Sequence, residues 1–587
     1  MQKVSSTIKL RNLRQSGMSL VEVLLAIAIF AVVVTGVIGA IIYGQESTAV
    51  AGARERATKI AEEGIEAVRN IRDSGYSNLP VDGTYGLVIS GGVWTLSGAS
   101  DITDIFTRTV TLSTIDSRTR NVTVDVTWTQ TVQRPGSISV NTYLTDWVTA
   151  VARNGMLVYG DGDSTTDAIK YQIYNDSAGT WSAAAATADV DAGSTNKSLR
   201  AARVYASSTR NEKVLVSRHY NGTGQWIYAQ VYNGGTGTWG NVVQLATWNA
   251  TTFLDVQNFD ATYMANGDLM VVYSDNTSIP KYRIWDGSTW SAQSSTTDFG
   301  DGDIPTYIVA KTRPATNEVM LASFTQSSDT DSEYYSGSAW SAVTSHATAA
   351  PLATKKFVDF AWSSSDVTKG ALVYADAGND KQMNIRIWTA NGAGGGAWGT
   401  TAQYGTAQAS NLGALEIDAI KGTVNFVACD KDANGTPRII CMRANTSGWV
   451  AASNVTVAAA SDNGIQASYS LGFEQTTTTY GVMVYSDNTT TPKYKKFNVG
   501  TDTWDAAATN VSPVAVGAVK TARVAPNPIT NDMMVLVADA NLDLYSVVWD
   551  GTNNILFTAP AGKAWLAHGT NGSATTDYWY DFVWDGI

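Results

Sequence analysis

The sequence predicts an α+β module followed by an all-β one: a long N-terminal helix with a small antiparallel sheet, then a β-propeller of eight blades, with seven as the alternative. Three observations predict it. Met18 to Tyr43 is an apolar run of 26 residues whose only charge is Glu22. Between Gly83 and Gln130 the hydrophobic period switches from helical to two. Beyond residue 140 a unit of about 50 residues recurs to the end of the sequence, a period typical of repeat architectures.

The helix is expected over 18–75. At about 1.5 Å per residue the 18–43 run spans about 39 Å, enough to cross a hydrocarbon core of about 30 Å. Lys3, Lys9, Arg11 and Arg14 precede it without an acidic residue, which keeps that end cytoplasmic. A carboxylate within such a run costs on the order of 2.5–3.5 kcal/mol near the bilayer centre, so Glu22 reads as functional. Further on, Ala57, Ile60, Ala61, Gly64, Val68 and Ile71 recur at helical spacing, and Glu55 with Lys59 and Arg69 with Asp73 stand at i, i+4. All twelve prolines lie at or beyond Pro80, and Gly75 is the expected stop.

A basic leader over 1–17 that ends in Gly17, followed by an apolar helix with glutamate at its fifth position counted from Met18, resembles the type IV prepilin signature. The resemblance covers about the first 75 residues. It implies that a prepilin peptidase cuts between Gly17 and Met18 and methylates the new amine. It also implies that Glu22 serves assembly with other pilin subunits. The chain would then pass from the cytoplasmic membrane, N-terminus inside, to an extracellular pilus or a secretion pseudopilus. Met18 departs from the phenylalanine that many family members carry there.

Alternation in NVTVDVTWTQ, with Val122, Val124, Val126 and Trp128 on one face, predicts a half-buried strand. GLVIS, VWTLS and FTRTVTL predict others, which together form a pilin-like β-domain over 76–133. Arg134, Pro135 and Gly136 read as the start of a linker, 134–140. The propeller is expected over 141–587.

Two copies show the repeat plainly: VVYSDNTSIPKYRIWDGSTW, ending at Trp290, and MVYSDNTTTPKYKKFNVGTDTW, ending at Trp504. Related tryptophans stand at 181, 239, 290, 340, 398, 449 and 504, spaced 50 to 58 apart, with Phe557 in the eighth place. Four strands in about 50 residues is the content of a propeller blade. Asp286–Gly287 is a tight-hairpin dipeptide. The strand near Tyr580 to Trp584 resembles the opening strand of each repeat and is expected to pair with the first blade, which would protect an open sheet edge. The turn in NDSAGTW resembles the Asp-box hairpin of sialidase-type propellers.

The recurring tryptophan reads as packing between blades, with a sugar-stacking platform as the alternative. A recurring aspartate ends the apolar strand at Asp161, Asp275, Asp376, Asp430, Asp487 and Asp539, and an Asx-type turn within its own loop is the expected role. Asp161, Asp163, Asp167 and Asp298, Asp301, Asp303 have the oxygen density of a calcium site, without the glutamate of an EF-hand. No metal or other cofactor is expected beyond that. Cys429 and Cys441 could pair, depending on hairpin register, and no spacing suits zinc.

Composition excludes some functions. Charged residues are 16% and the net charge is -12, which argues against a nucleic-acid surface. Nineteen Trp and 26 Tyr provide apolar mass for a large core rather than a disordered stalk. The three histidines, His219, His346 and His568, fall in different repeats, with no metalloprotease, hydrolase or phosphate-loop motif. The expectation is therefore no enzyme. A minor or tip-proximal pilin-like subunit that displays the propeller for adhesion to a surface glycan or protein ligand comes first. A pseudopilin with a structural propeller and a membrane-tethered sialidase-like hydrolase are the alternatives.

Overall fold

The computed structural model describes residues 19–586, apart from 75, 117–118, 132–133, 146–153, 161–168, 191–196, 255, 301–302, 349–354, 377–380, 393, 405–410, 433–437, 451–454, 459–467, 512–516, 552–554, 557–565 and 568–578. The chain divides into two units, Met1–Ala150 and Val151–Ile587.

In the first unit one helix, α1 (Leu20–Ser74), runs without interruption. Ser19 starts it: its Oγ accepts the Val21 N–H at 3.3 Å, while Glu22 Oε2 accepts the Ser19 N–H at 3.0 Å, a reciprocal capping box. Leu20 to Gly52 is exposed apart from a half-buried Val23, and the apolar part is long enough to cross a membrane. From Ala53 onward the helix buries Ala57, Ala61, Gly64, Val68 and Ile71 as the spacing predicts, with Ile65 in addition, while Ile60 is half-buried at the edge of the stripe. The Lys59–Glu55 pair forms at 2.9 Å, but Arg69 turns to Glu66 and Asp73 to Arg72, closer partners than the i, i+4 ones.

The stripe packs on an antiparallel sheet of β1 (Gly83–Ser90), β2 (Val93–Ser97), β3 (Asp101–Thr103), β4 (Phe106–Asp116), β5 (Thr119–Thr131) and β6 (Arg134–Thr145), in the order β2-β1-β4-β5-β6 with β3 beside β4. Val110, Leu112, Val122, Val124 and Val126 face the helix and are fully buried. Here one expectation is corrected. The 134–140 segment is not a linker but the first half of β6, registered on β5 from Thr131↔Arg134 to Thr119↔Thr145. Proline and glycine misled because β6 is an edge strand, where a missing N–H costs no ladder bond. Gly136 is required by close approach, since a Cβ there would lie 2.2 Å from the Trp128 ring.

The second unit contains eight antiparallel sheets of four or five strands among the described residues. The first strands of seven of them, Ser198–Ala206, Phe259–Tyr263, Pro305–Thr312, Val358–Trp362, Leu412–Ala419, Tyr469–Phe473 and Val519–Pro526, each touch the next. The chain's final strand, Tyr580–Trp584, supplies the eighth: it touches both Val519–Pro526 and Ser198–Ala206. The sheets thus close a ring. The final strand pairs with Gly155–Tyr159 in the register Tyr580↔Tyr159, Phe582↔Leu157 and Trp584↔Gly155, the closure the repeat predicted. The second strands are almost wholly buried, and most are apolar, as in Leu269–Tyr273 and Met533–Asp539, whereas Glu212–Tyr220 and Asn425–Asp432 bury charged residues as well.

Cys429 and Cys441 are bonded. They lie directly opposite each other in the hairpin register, Cα atoms 4.1 Å apart, the close spacing of a non-hydrogen-bonded pair.

Candidate functional site

The eight first strands line one axial channel with a cavity of about 680 Å³. Strand alternation decides what faces it: Arg203, Asp260, Asp359, Glu416, Asp418, Arg523 and Asp581 all line the wall. Four of these acids form an inter-sheet belt. Asp581 accepts the Val204 N–H at 3.1 Å, Asp260 the Ala310 N–H at 2.9 Å, Asp359 the Ile417 N–H at 3.2 Å and Glu416 the Leu471 N–H at 3.4 Å. Each bond runs from the first strand of one sheet to the first strand of the next. A first strand has no ladder partner on its channel side, and the carboxylate supplies one.

Cations balance part of this charge. Arg523 Nε lies 2.9 Å from Asp581 Oδ1, and Lys356 Nζ lies 3.0 Å from Asp359 Oδ2. Arg203 Nε donates to Gln257 Oε1 at 3.0 Å, and Tyr205 OH donates to Asp260 Oδ1 at 2.8 Å. Glu416 and Asp418, two residues apart on one strand, stay least compensated. Burial within the ring pushes Glu416 up to about 7, and burial with the neighbouring Glu416 charge pushes Asp418 up to about 7. The wall can hydrogen-bond a polar ligand through carboxylate, guanidinium and ammonium groups. Among the described residues it presents no histidine, cysteine or serine.

The recurring tryptophans are mortar. Trp290 Nε1 donates to Asn241 O at 2.8 Å and Trp449 Nε1 to Ala402 O at 3.1 Å, in both cases on the preceding sheet. Trp181, Trp239, Trp340, Trp398 and Trp504 are half-buried against rings of their own or adjacent strands, such as Tyr174, Tyr232, Tyr335, Trp388 and Phe497. Sequence reading missed the residue that follows. Ser182, Ser291 and Ser341 each return a backbone N–H to the third strand and accept one with Oγ at 2.9–3.0 Å, so the Trp-Ser dipeptide locks the hairpin. Phe557 lies outside the described residues.

The recurring aspartates divide. Asp539 accepts the Asn541 N–H at 2.9 Å and Asp487 the Thr489 N–H at 3.2 Å, the expected Asx turns, while Asp275 takes the Thr277 hydroxyl at 2.5 Å. Asp430 does otherwise: fully buried, it accepts the Gly413 and Ala414 N–H groups at 3.0 and 3.3 Å, bridging the bulge on the adjacent strand. Burial pushes it up to about 8. Asp161, Asp163, Asp167, Asp301 and His568 lie outside the described residues. Asp298 closes its own turn by accepting the Gly300 N–H at 3.0 Å and the Ser278 hydroxyl at 2.7 Å. Among the described residues no three Asp, Glu, His or Cys side chains converge on a metal position. His219 and His346 pack among rings, and burial lowers them to about 4 and about 3.

Gly17 and Met18 lie outside the described residues; Glu22 stands exposed in the first turn of α1. The prokaryotic N-terminal methylation motif matches residues 12–38, which takes in this leader end, the glutamate and the apolar helix. The chain carries a prepilin-type N-terminus. No curated protein sequence matches the chain significantly. Among solved structures, a lectin from Burkholderia pseudomallei is 11% identical, covers 62% of this chain and 98% of its own, with a TM-score of 0.43. A periplasmic gluconolactonase from Pseudomonas aeruginosa is 10% identical over 62% of this chain and 97% of its own, with a TM-score of 0.37. The β-propeller domain of a protease from Pyrococcus furiosus is 8% identical over 60% and 96%, with a TM-score of 0.33. The propeller architecture here rests on strand order and ring closure rather than on these scores.

Proposed function

We propose that this chain is a minor or tip-proximal subunit of a type IV pilus or related pseudopilus, which displays its ring at the cell surface for adhesion or ligand binding. The division of α1 carries the reading. Leu20 to Gly52 finds no cover within its own unit, whereas Ala53 to Ile71 is buried in it. An apolar helical segment of that length needs a bilayer before assembly and neighbouring helices after it. The prepilin-type motif on the same segment supports processing by a prepilin peptidase, with the basic leader inside. The ring unit spans 151–587 against 1–150 for the helix-bearing unit, and a module that large on every subunit would crowd a tight helical filament. The ring is read as a binding module because its channel wall offers carboxylate, guanidinium and ammonium contacts to a polar ligand.

Immunogold labelling of sheared surface filaments tests the placement. Label at few positions or near ends is expected, and label all along the shaft overturns it. Gly17→Val is expected to leave an uncleaved precursor in the membrane fraction. Mature-size protein from that variant would remove the processing site from Gly17. Glycan and protein arrays probed with the chain are expected to show retention without release of a cleaved product.

A further inference from the structure

The axial cavity of the ring carries a charge pattern that selects among ligands. Asp581, Arg203, Asp260, Lys311 and Asp359 line it from the first to the fifth sheet in that order, so the sign alternates from sheet to sheet. Glu416 and Asp418 follow on the sixth sheet and Arg523 on the eighth. With Lys356 beside Asp359, the described lining has five acids and four bases. Part of this set keeps bonding capacity for a ligand. Glu416 accepts the Leu471 N–H at 3.4 Å and the Ser470 hydroxyl at 3.3 Å, both through Oε1. Asp418 accepts the adjacent Ala419 N–H through Oδ1 at 2.9 Å. Among the described residues Glu416 Oε2, Asp418 Oδ2, the Arg523 Nη atoms and the Lys311 ammonium hold no hydrogen bond. Glu416 and Asp418 are half-buried and Lys311 is exposed, so these groups stay within reach of a solute in the cavity.

A ligand carrying one sign of charge meets, beside each partner on this wall, a residue of its own sign on the same or an adjacent sheet, and such juxtaposition opposes binding. An apolar ligand would strip water from carboxylate, guanidinium and ammonium groups without replacing its bonds. A hydroxyl is suited to both kinds of neighbour, because it donates one hydrogen bond and accepts others. A molecule with hydroxyls around its ring can donate to Glu416 and Asp418 and accept from Lys311 and Arg523 at the same time. On the reading of the ring as a binding module, we propose that its axial channel is the binding site and takes the uncharged, polyhydroxylated end of a glycan. The cavity of about 680 Å³ lies within the ~300–1,000 Å³ of small-molecule sites, room for sugar units and not for a folded protein domain. Recognition here does not draw on the recurring tryptophans, two of which bond the preceding sheet instead.

The labelled full chain in detergent, applied to an array of neutral, sialylated, sulfated and amino-sugar glycans beside arrayed proteins, tests the ligand class. Calorimetric titration with the neutral glycan it retains then tests the site. Retention of neutral glycans is expected, and Asp418→Ala and Lys311→Ala should each weaken the binding at least about tenfold, the loss of one charge-assisted hydrogen bond. Lys311→Ala, at an exposed position, decides the site if Asp418→Ala does not fold. Equal binding of the neutral glycan by wild type and folded variants overturns the channel as the site and leaves the ring a binding module. Retention of charged glycans alone, or of proteins alone, overturns the ligand class and leaves that module standing. Retention of neither glycan nor protein overturns both.

Discussion

Asp581 and Arg523 form an ion pair, Oδ1 to Nε at 2.9 Å, across the join between the chain's final strand and the eighth sheet. The other oxygen of Asp581 accepts the Val204 N–H from the second sheet. One carboxylate therefore ties three sheets together where the ring would otherwise open. Asp581 is 2% exposed, so its loss leaves a cation and a backbone donor without their partner. Asp581→Ala is expected to lower stability by about 1–3 kcal/mol, below the range for a fully buried pair because the Arg523 side chain is 38% exposed. Deleting the last twelve residues should cost far more. Calorimetry on the full chain checks both, and unchanged melting of the truncation would place ring closure elsewhere.

A second buried pair organises the first unit. Arg108 Nη2 lies 2.9 Å from Asp101 Oδ2, its Nη1 donates to Ile60 O at 3.0 Å, and Asp101 Oδ1 accepts the Leu87 N–H at 2.9 Å. Helix, β1, β3 and β4 thus meet at one guanidinium. Asp101→Ala is expected to cost about 3 kcal/mol and to loosen the sheet against α1. Faster amide exchange in α1 beyond Ala53 is the readout, and wild-type protection factors would show the pair to be dispensable.

Neither pair was legible in the sequence, whereas the elements they join were. Apolar period located α1 and β5, because burial on one face leaves a pattern in the chain, and short continuous apolar runs located second strands such as Leu269–Tyr273, which are buried on both faces. The repeat located the closing strand Tyr580–Trp584, because an opening strand without its partner must find one. A pattern of this kind carries no trace of a long-range polar contact such as Asp581 with Val204, 377 residues apart. A signal for the belt was present in short form: an acid directly after the strand's first residue in Phe259-Asp260, Val358-Asp359 and Tyr580-Asp581, though Glu416 follows Leu415 in mid-strand. Reading it required knowing that those strands share an axis. Pro135 and Gly136 misled for a related reason, since their meaning depends on whether a strand is an edge.

The ring should lose stability as pH rises above neutrality. Glu416 and Asp418 lie at about 7 and Asp430 at about 8, against 4.5 for an ordinary Glu and 3.8 for an ordinary Asp. Between those limits the folded chain binds more protons than the unfolded one, so each group's contribution falls as pH rises through the window. His219 and His346, at about 4 and about 3 against 6.5, act in the opposite sense, but only below 6.5. Above 6.5 neither of these histidines opposes the acids. Melting temperature is therefore expected to fall from pH 6.5 to pH 8.5 at fixed ionic strength, and a rise over that interval would contradict the assignment.

Glu22 has two possible partners, and a pair of variants separates them. Within the chain its carboxylate caps the helix through the Ser19 N–H at 3.0 Å, a bond that any side-chain carbonyl oxygen can accept. The resemblance to prepilins implies another partner, the amine that cleavage creates at Met18 of a neighbouring subunit, and that one requires a charge. Two opposite charges near hydrocarbon each carry a solvation penalty, and pairing across subunits offsets both while setting the axial register. Glu22→Gln keeps the cap and removes the charge; Glu22→Ala removes both. We expect both variants to insert and be cleaved, and both to be depleted from sheared surface filaments while accumulating in the membrane. If Glu22→Gln enters filaments at the wild-type level and Glu22→Ala does not, the glutamate serves the helix start and not the neighbour. If both enter normally, neither bond matters to assembly.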